Sequence, residues 1–392
     1  VTTAVQEPRA SEVNYGSFTI KARRQILHTL AGEAGLAVSN SDTRPVLKCF
    51  QVRVQDGTLR LAATNMEVTI LAESTALVHS GDALAYIPAK PLLAILSEAP
   101  EGDITIKVRK NQAAITSEKG ASWSLVLPAG DQFPPIPDVD LASTQPADRG
   151  KFLAALKMVK GTVSRDTSRP AFMQVDLSEV DGTMFMTSSD AGRLTRVRLE
   201  KFPVPMGVPA GGMELLIKVL GNTTVDTISA AVLDRFLLFS TGPTTVLINK
   251  FGAKFGEVEK LLVQPATENT LKLTMDREDL ISAIRRVRIN ANPDTNALAM
   301  LVRPGQVVLE AKNKKDTAKE TVLAGWPDSN GELLLLVNAS SLLGMLAVHP
   351  SNACVFYLAQ QVGQRRCLVL LADDEAGVTS IITQMNARVL GY

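Results

Sequence analysis

Phe152-Leu153-Ala154-Ala155-Leu156-Lys157-Met158-Val159 and Leu280-Ile281-Ser282-Ala283-Ile284-Arg285-Arg286-Val287 are the stretches on which the fold turns. In each, apolar residues fall at i, i+1, i+4 and i+7, which gathers them on one face of a helix. The second stretch follows the first at a shift of 280 − 152 = 128 residues, and Ile26, Leu27 and Leu30 supply an earlier version of the same face. A second apolar set recurs too: Leu92, Leu93, Ile95 and Leu96 return as Leu342, Leu343, Met345 and Leu346, 250 residues on. Similar junctions introduce this second helix in each unit: Ile87-Pro88-Ala89-Lys90, Val208-Pro209-Ala210-Gly211 and Val337-Asn338-Ala339-Ser340. A spacing near 125 residues, met three times, predicts three consecutive units with two helices each.

Between the helices the period changes to two. Val52 and Val54 precede Asp56-Gly57, and Leu59 and Leu61 follow it, which is a hairpin around a two-residue turn. Val175 and Leu177, Asp181-Gly182, then Met184 and Met186 repeat it; Met300 and Val302, Pro304-Gly305, then Val308 give the third version. Arg44-Pro45-Val46-Leu47 and Arg169-Pro170-Ala171-Phe172 mark the entry to the first of these strands in two units. Each unit therefore reads as strand, helix, several antiparallel strands, helix, more strands: an α+β domain with two helices packed on antiparallel sheet. Pro-rich joints, Phe133-Pro134-Pro135-Ile136-Pro137 onward to Pro146 and Gln264-Pro265-Ala266-Thr267, separate the units. The expected boundaries are an N-terminal arm at 1–16 and domains at 17–137, 146–264 and 270–392.

Composition removes several function classes. Of 392 residues, 45% are hydrophobic and 21% charged, as in globular proteins. No apolar run reaches the roughly 20 residues that cross a bilayer, and the first sixteen lack a signal-type apolar stretch, so the expected location is the cytoplasm. Cys49, Cys354 and Cys367 have no CxxC spacing and sit in apolar, strand-like contexts, which reads as core packing. With His28, His79 and His349 the only histidines, no metal site and no cofactor are expected. A net charge of +1 confines any nucleic-acid contact to a local patch.

The order of elements, Asp56 to Val68 (Asp-Gly-Thr-Leu-Arg-Leu-Ala-Ala-Thr-Asn-Met-Glu-Val), Asp131-Gln132-Phe133-Pro134-Pro135 and Ser189-Asp190-Ala191-Gly192-Arg193-Leu194 resemble the beta sliding clamp of bacterial DNA polymerase III, over roughly residues 17–385. The resemblance implies three clamp domains per chain forming half of a closed ring, a homodimer joined head to tail. It implies a DNA replication role as a processivity factor: a ring that encircles duplex DNA without sequence readout and tethers the replicative polymerase. A clamp loader and other proteins carrying a clamp-binding motif would dock in the same peptide groove. Typical members read Thr-Asp-Gly-His-Arg-Leu where this chain has Ser189 to Leu194, and Met-Pro-Met where it has Thr383-Gln384-Met385. These departures imply a divergent member, phage-encoded or specialised, with altered partners. The alternative is a clamp-fold interaction scaffold or specialised paralogue that does not encircle DNA.

On that resemblance the DNA-facing residues are Arg24, Lys151, Lys157, Lys160, Arg285, Arg286 and Arg288 on the first helices, contacting phosphates without reading bases. The peptide groove comprises Phe172, Ser189, Ala191, Gly192, Arg193 and Leu194 from the second unit. Gly256, Lys260 and Leu261 follow Phe255, where the family usually has Pro, Arg and Val. Asn338, Ser341, Ile381, Ile382, Thr383, Gln384 and Met385 come from the third. No enzyme constellation competes with this reading. Asp373-Asp374 and Glu278-Asp279 are pairs in a turn and at a helix start, where acids are routine, and neither a Gly-x-Ser-x-Gly elbow nor a Gly-x-x-x-x-Gly-Lys loop is present.

Overall fold

The computed structural model describes residues 15, 17–40, 44–80, 83–128, 132–137, 139, 141–199, 202, 205–256, 271–325, 332–362, 365–371 and 377–385. The joint at 264–267, the pair Asp373-Asp374 and the arm before Tyr15 fall outside these residues. The six expected helices are present: α1 (Arg24–Gly35), α2 (Ala89–Glu98), α3 (Arg149–Val159), α4 (Ala210–Asn222), α5 (Arg277–Val287) and α6 (Ala339–Val348). Phe152, Leu153, Leu156 and Val159 on α3 are buried, as are Leu280, Ile281, Ile284 and Val287 on α5, so the stripe read from the sequence is the packed face.

The chain groups into two compact units, Val1–Arg149 with Glu214–Lys250, and Gly150–Met213 with Phe251–Tyr392. The first holds a five-stranded sheet in the order β5 (Val78–Ser80), β1 (Ser17–Arg23), β7 (Asp103–Arg109), β8 (Gln112–Ser117), β9 (Ser122–Val126). Its second sheet runs β10 (Gln145–Asp148), β15 (Thr227–Val232), β16 (Phe236–Ser240), β17 (Thr244–Asn249), β4 (Val68–Ser74), β3 (Thr58–Thr64), β2 (Cys49–Gln55), β6 (Ala83–Pro88). The other unit has the sheet β14 (Met206–Pro209), β11 (Gln174–Val180), β12 (Thr183–Ser189), β13 (Arg193–Leu199), β25 (Val378–Thr383), β24 (Arg365–Leu371), β23 (Ala353–Val362), β18 (Leu271–Asp276). A four-stranded sheet, β21 (Thr317–Leu323), β20 (Gln306–Lys312), β19 (Ala297–Arg303), β22 (Leu333–Asn338), completes it. Every pairing is antiparallel. The two long sheets each borrow strands from the middle repeat, through β4–β17 and β13–β25, so compactness follows the sheets and not the repeat.

The predicted hairpins close on two residues: Gln55 pairs with Thr58, Val180 with Thr183 and Arg303 with Gln306. Asp56 and Gly57 have φ of 49° and 75°, and Asp181 and Gly182 have 50° and 77°, the double positive φ of a type I′ turn. The Arg-Pro segments are 3₁₀ turns, Pro45–Lys48 and Pro170–Phe172, placed just before β2 and β11. Cys49 and Cys354 are buried thiols, consistent with the core packing read from sequence.

One device recurs in all three repeats. Arg24, Arg149 and Arg277 stand first on α1, α3 and α5, at shifts of 149 − 24 = 125 and 277 − 149 = 128. Arg24 Nη1 donates to the carbonyl of Leu96 at 2.9 Å, Arg149 Nη1 to that of Leu220 at 3.0 Å and Arg277 Nη1 to that of His349 at 3.0 Å. Each guanidinium thus covers carbonyls at the end of its domain's second helix, which lack intrahelical donors and carry the negative end of the helix dipole.

Candidate functional site

The Ser189–Leu194 segment is a tight turn linking β12 to β13. Asp190 holds it from inside. Its Oδ1 accepts the backbone N–H of Gly192 at 3.0 Å and of Arg193 at 2.8 Å, and its Oδ2 accepts Arg193 Nε at 2.9 Å and Nη2 at 2.6 Å. Ser189 Oγ donates to the carbonyl of Arg193 at 2.8 Å, and Ala191 takes a left-handed φ of 68° to close the turn. Thr383, at the end of β25, donates its N–H and its hydroxyl to the Gly192 carbonyl, each at 3.0 Å, and so ties the turn to the C-terminal strand.

This turn forms one wall of a cavity of about 880 Å³. Asp190, Ala191, Gly192 and Arg193 lie on that wall; Lys157, Lys160 and Gly161 at the end of α3 form another. Val163 to Asp166, Arg169 and Val348 complete the lining. A Cβ added at Gly192 would lie 3.5 Å from Asp190 Oδ1 and 4.0 Å from Thr383 Oγ1, ordinary contact distances, so glycine here leaves space open. Asp166 accepts the Ser168 hydroxyl at 2.7 Å and its N–H at 2.9 Å, and Arg169 lies 3.6 Å away. The hydrogen bonds from Ser168, with a smaller contribution from Arg169, hold its carboxyl below the usual range.

The structure distributes the expected groove residues unevenly. Ala191, Gly192 and Arg193 line the cavity, and Ser189 and Thr383 brace the turn. Leu194, expected as a wall, is 1% exposed, and Ile381 and Ile382 are also buried. These three are core residues of the long sheet, a correction with a simple cause: Ile382 packs in the apolar cluster that holds Leu342, Met345 and Leu346 of α6, and Leu194 and Ile381 stand opposite each other in the β13–β25 pair. Asn338 caps α6, accepting the Ser341 N–H at 2.9 Å, and its amide donates to the Thr295 carbonyl at 3.0 Å. Phe172 meets Phe255 edge to face with ring centroids 5.8 Å apart. A Cβ at Gly256 would come within 2.7 Å of that Phe172 ring, so glycine permits this approach. Gln384 and Met385 follow β25, and Met385 N–H donates to the Leu336 carbonyl at 2.8 Å. Lys260 and Leu261 lie outside the described residues.

The basic set also divides. Lys151, Arg285 and Arg288 are exposed on α3, on α5 and in the turn after α5. Arg286 is held by Glu320 on β21, with Nε to Oε2 at 2.9 Å and a second, shorter contact; this pairing raises the guanidinium pKa and lowers that of Glu320. Arg24, expected to face DNA, is instead occupied at the end of α2 and paired with Glu101. Lys157 and Lys160, expected with the DNA-facing group, line the cavity. Sequence reasoning missed Val163, Arg165, Arg169 and Val348 there; Arg169 was visible, but only as the residue before a turn proline.

Residues 17–137 match the family described as DNA polymerase III beta subunit, N-terminal domain. The chain is 23% identical over 297 residues to the beta sliding clamp of Chlamydia trachomatis, covering 74% of this chain and 70% of the relative. It is 25% identical over 357 residues to that of Synechocystis, covering 81% and 86%. Among solved structures, the beta sliding clamp of Caulobacter crescentus superposes with a TM-score of 0.85 at 18% identity, over 95% of this chain and all of that one. The DNA polymerase III subunit beta of Pseudomonas aeruginosa gives 0.85 at 19% identity, over 94% of this chain and all of the other. The fold is shared across the length of the chain.

Proposed function

We propose, from the premise that this chain is a divergent relative of the beta sliding clamps, that it is a DNA polymerase processivity factor working as a head-to-tail homodimeric ring around duplex DNA. The observation that carries the reading is the threefold recurrence of one plan: a first helix with the same buried face, an arginine at its start locking the second helix, and the same hairpins. The fold shared with solved clamps over almost the whole chain supports it. The domains would run 17–137, 146–264 and 270–392, and the role needs no catalytic group of its own.

Phosphate contact falls to Arg285 and Arg288, with Lys151 and Arg286, which both have partners within the chain, contributing when they exchange them. Such contact is sequence-independent and salt-sensitive, and retention comes from closure of the ring. A polymerase or loader peptide would seat in the cavity beside the Asp190–Arg193 turn. The test is loading onto nicked circular DNA followed by measurement of retention and of polymerase processivity. Arg285→Glu with Arg288→Glu should lower both while the dimer persists, and each lost phosphate contact should flatten the salt slope by about 0.9. Wild-type protein that is not retained would point to an interaction scaffold; unchanged retention in the double variant would remove α5 from the DNA surface.

A further inference from the structure

We infer that the cavity beside the Asp190–Arg193 turn selects an acidic partner peptide, one whose apolar anchor is accompanied by aspartate or glutamate. The inference rests on the proposal that this cavity is the partner site and adds the chemistry of its occupant. Five cations line the cavity, Lys157, Lys160, Arg165, Arg169 and Arg193, against two anions, Asp166 and Asp190, an excess of 5 − 2 = 3. Both anions are already engaged by their neighbours, Asp190 by Arg193 at 2.6 Å and Asp166 by Arg169 at 3.6 Å. They are therefore poorly placed to offset Lys157 and Lys160. Lys157 and Lys160 make no ion pair among the described residues.

Val163, Val348 and Ala191 are the lining residues with wholly apolar side chains beyond glycine, and the bulky Leu194 and Ile382 that would have made an oily groove are sealed in the core. Shape alone thus offers a peptide one modest anchor, and the remaining discrimination comes from charge. Opposed potentials across an interface select partners and speed encounter, and they repel cationic competitors.

The experiment uses the full chain and two fluorescent decapeptides of equal length ending in Leu-Phe, one neutral and one with two glutamates upstream of that end, titrated by anisotropy at low and high salt. The acidic peptide should bind about tenfold tighter at low salt, a difference of about 1.4 kcal/mol, and lose most of that advantage at high salt. Lys157→Glu with Lys160→Glu should abolish the advantage, whereas Lys314→Glu with Lys315→Glu, an exposed pair in another turn, should leave the binding of both peptides as in the wild type. Equal binding of both peptides would overturn the acidic selectivity alone. Binding of neither would overturn the cavity as partner site and this inference with it. An advantage that survives the Lys157/Lys160 reversal, or falls equally with the Lys314/Lys315 reversal, would also overturn it.

Discussion

Ala191 holds a φ of 68°, where a side chain costs about 1 kcal/mol or more relative to glycine. Nothing in the backbone pattern relieves it, because Gly192 N–H and Arg193 N–H are both fixed on Asp190. Ala191→Gly should therefore raise stability by about 1 kcal/mol, read as a higher urea midpoint at unchanged slope. The helix-locking arginines carry the opposite sign. Arg149→Met removes a charged donor from two carbonyls, those of Leu220 and Val225, and should cost about 1.5–3 kcal/mol in the same assay. Burial pushes the Cys49 thiol up to about 11 from its usual value near 9. The unfolded thiol ionises first, so its contribution to stability is complete below about pH 9 and disappears as pH rises towards 11. Wild type should accordingly lose stability across that window, and Cys49→Ala should lose less. Residue identity and spacing were legible at all these places; Arg24, Arg149 and Arg277 sit at the repeat distance in plain view. What they bond to was not, because the acceptors are main-chain carbonyls that every residue carries.

At the level of elements, β25 decides how the C-terminal segment should be understood. It lies between β13 and β24, with Arg193 opposite Ile382 and Leu194 opposite Ile381. Successive residues on a strand point to opposite faces, so burial of both Ile381 and Ile382 means that both faces of the sheet are covered here. Ile382 belongs to the same apolar cluster as Leu342, Met345 and Leu346 of α6. Ile382→Ala should cost about 2–5 kcal/mol in stability through the cavity it leaves, while peptide affinity of the folded fraction stays unchanged. Chemical denaturation and anisotropy titration on one preparation separate the two effects. A loss of affinity without loss of stability would restore Ile382 to the groove. The hairpins and helices were legible because each is set by local period and turn chemistry. The neighbours of β25 were not: pairing between segments nearly 190 residues apart is chosen by the whole sheet, and a short apolar run does not say which strands will flank it.

For the whole molecule, the three-unit plan was written in the spacing of apolar faces, but assembly depends on what the sheets leave open. Strands β9 and β21 each end a sheet, so one side of each has no strand partner among the described residues. Both edges carry apolar residues in solvent: Val126 on β9 is 67% exposed, and Leu323 on β21 is 82% exposed, with Ile289, in the turn after α5, at 79%. An open edge with exposed apolar side chains promotes association with another chain unless something covers it. In the proposed ring, β9 of one chain adds to β21 of the other, a heterologous pairing that closes after two copies. Leu323→Lys places a charge at the end of the β21 edge and leaves the folded chain intact, because the side chain is already in water. Sedimentation velocity at micromolar concentration should give a dimer for the wild type and a monomer for Leu323→Lys, with Val126→Lys giving the same result from the other edge. Retention on nicked circular DNA should fall in step with the dimer. A variant that stays dimeric would move the interface away from these strands, and one that is monomeric yet retained would show that closure of the ring is not what holds the protein on DNA.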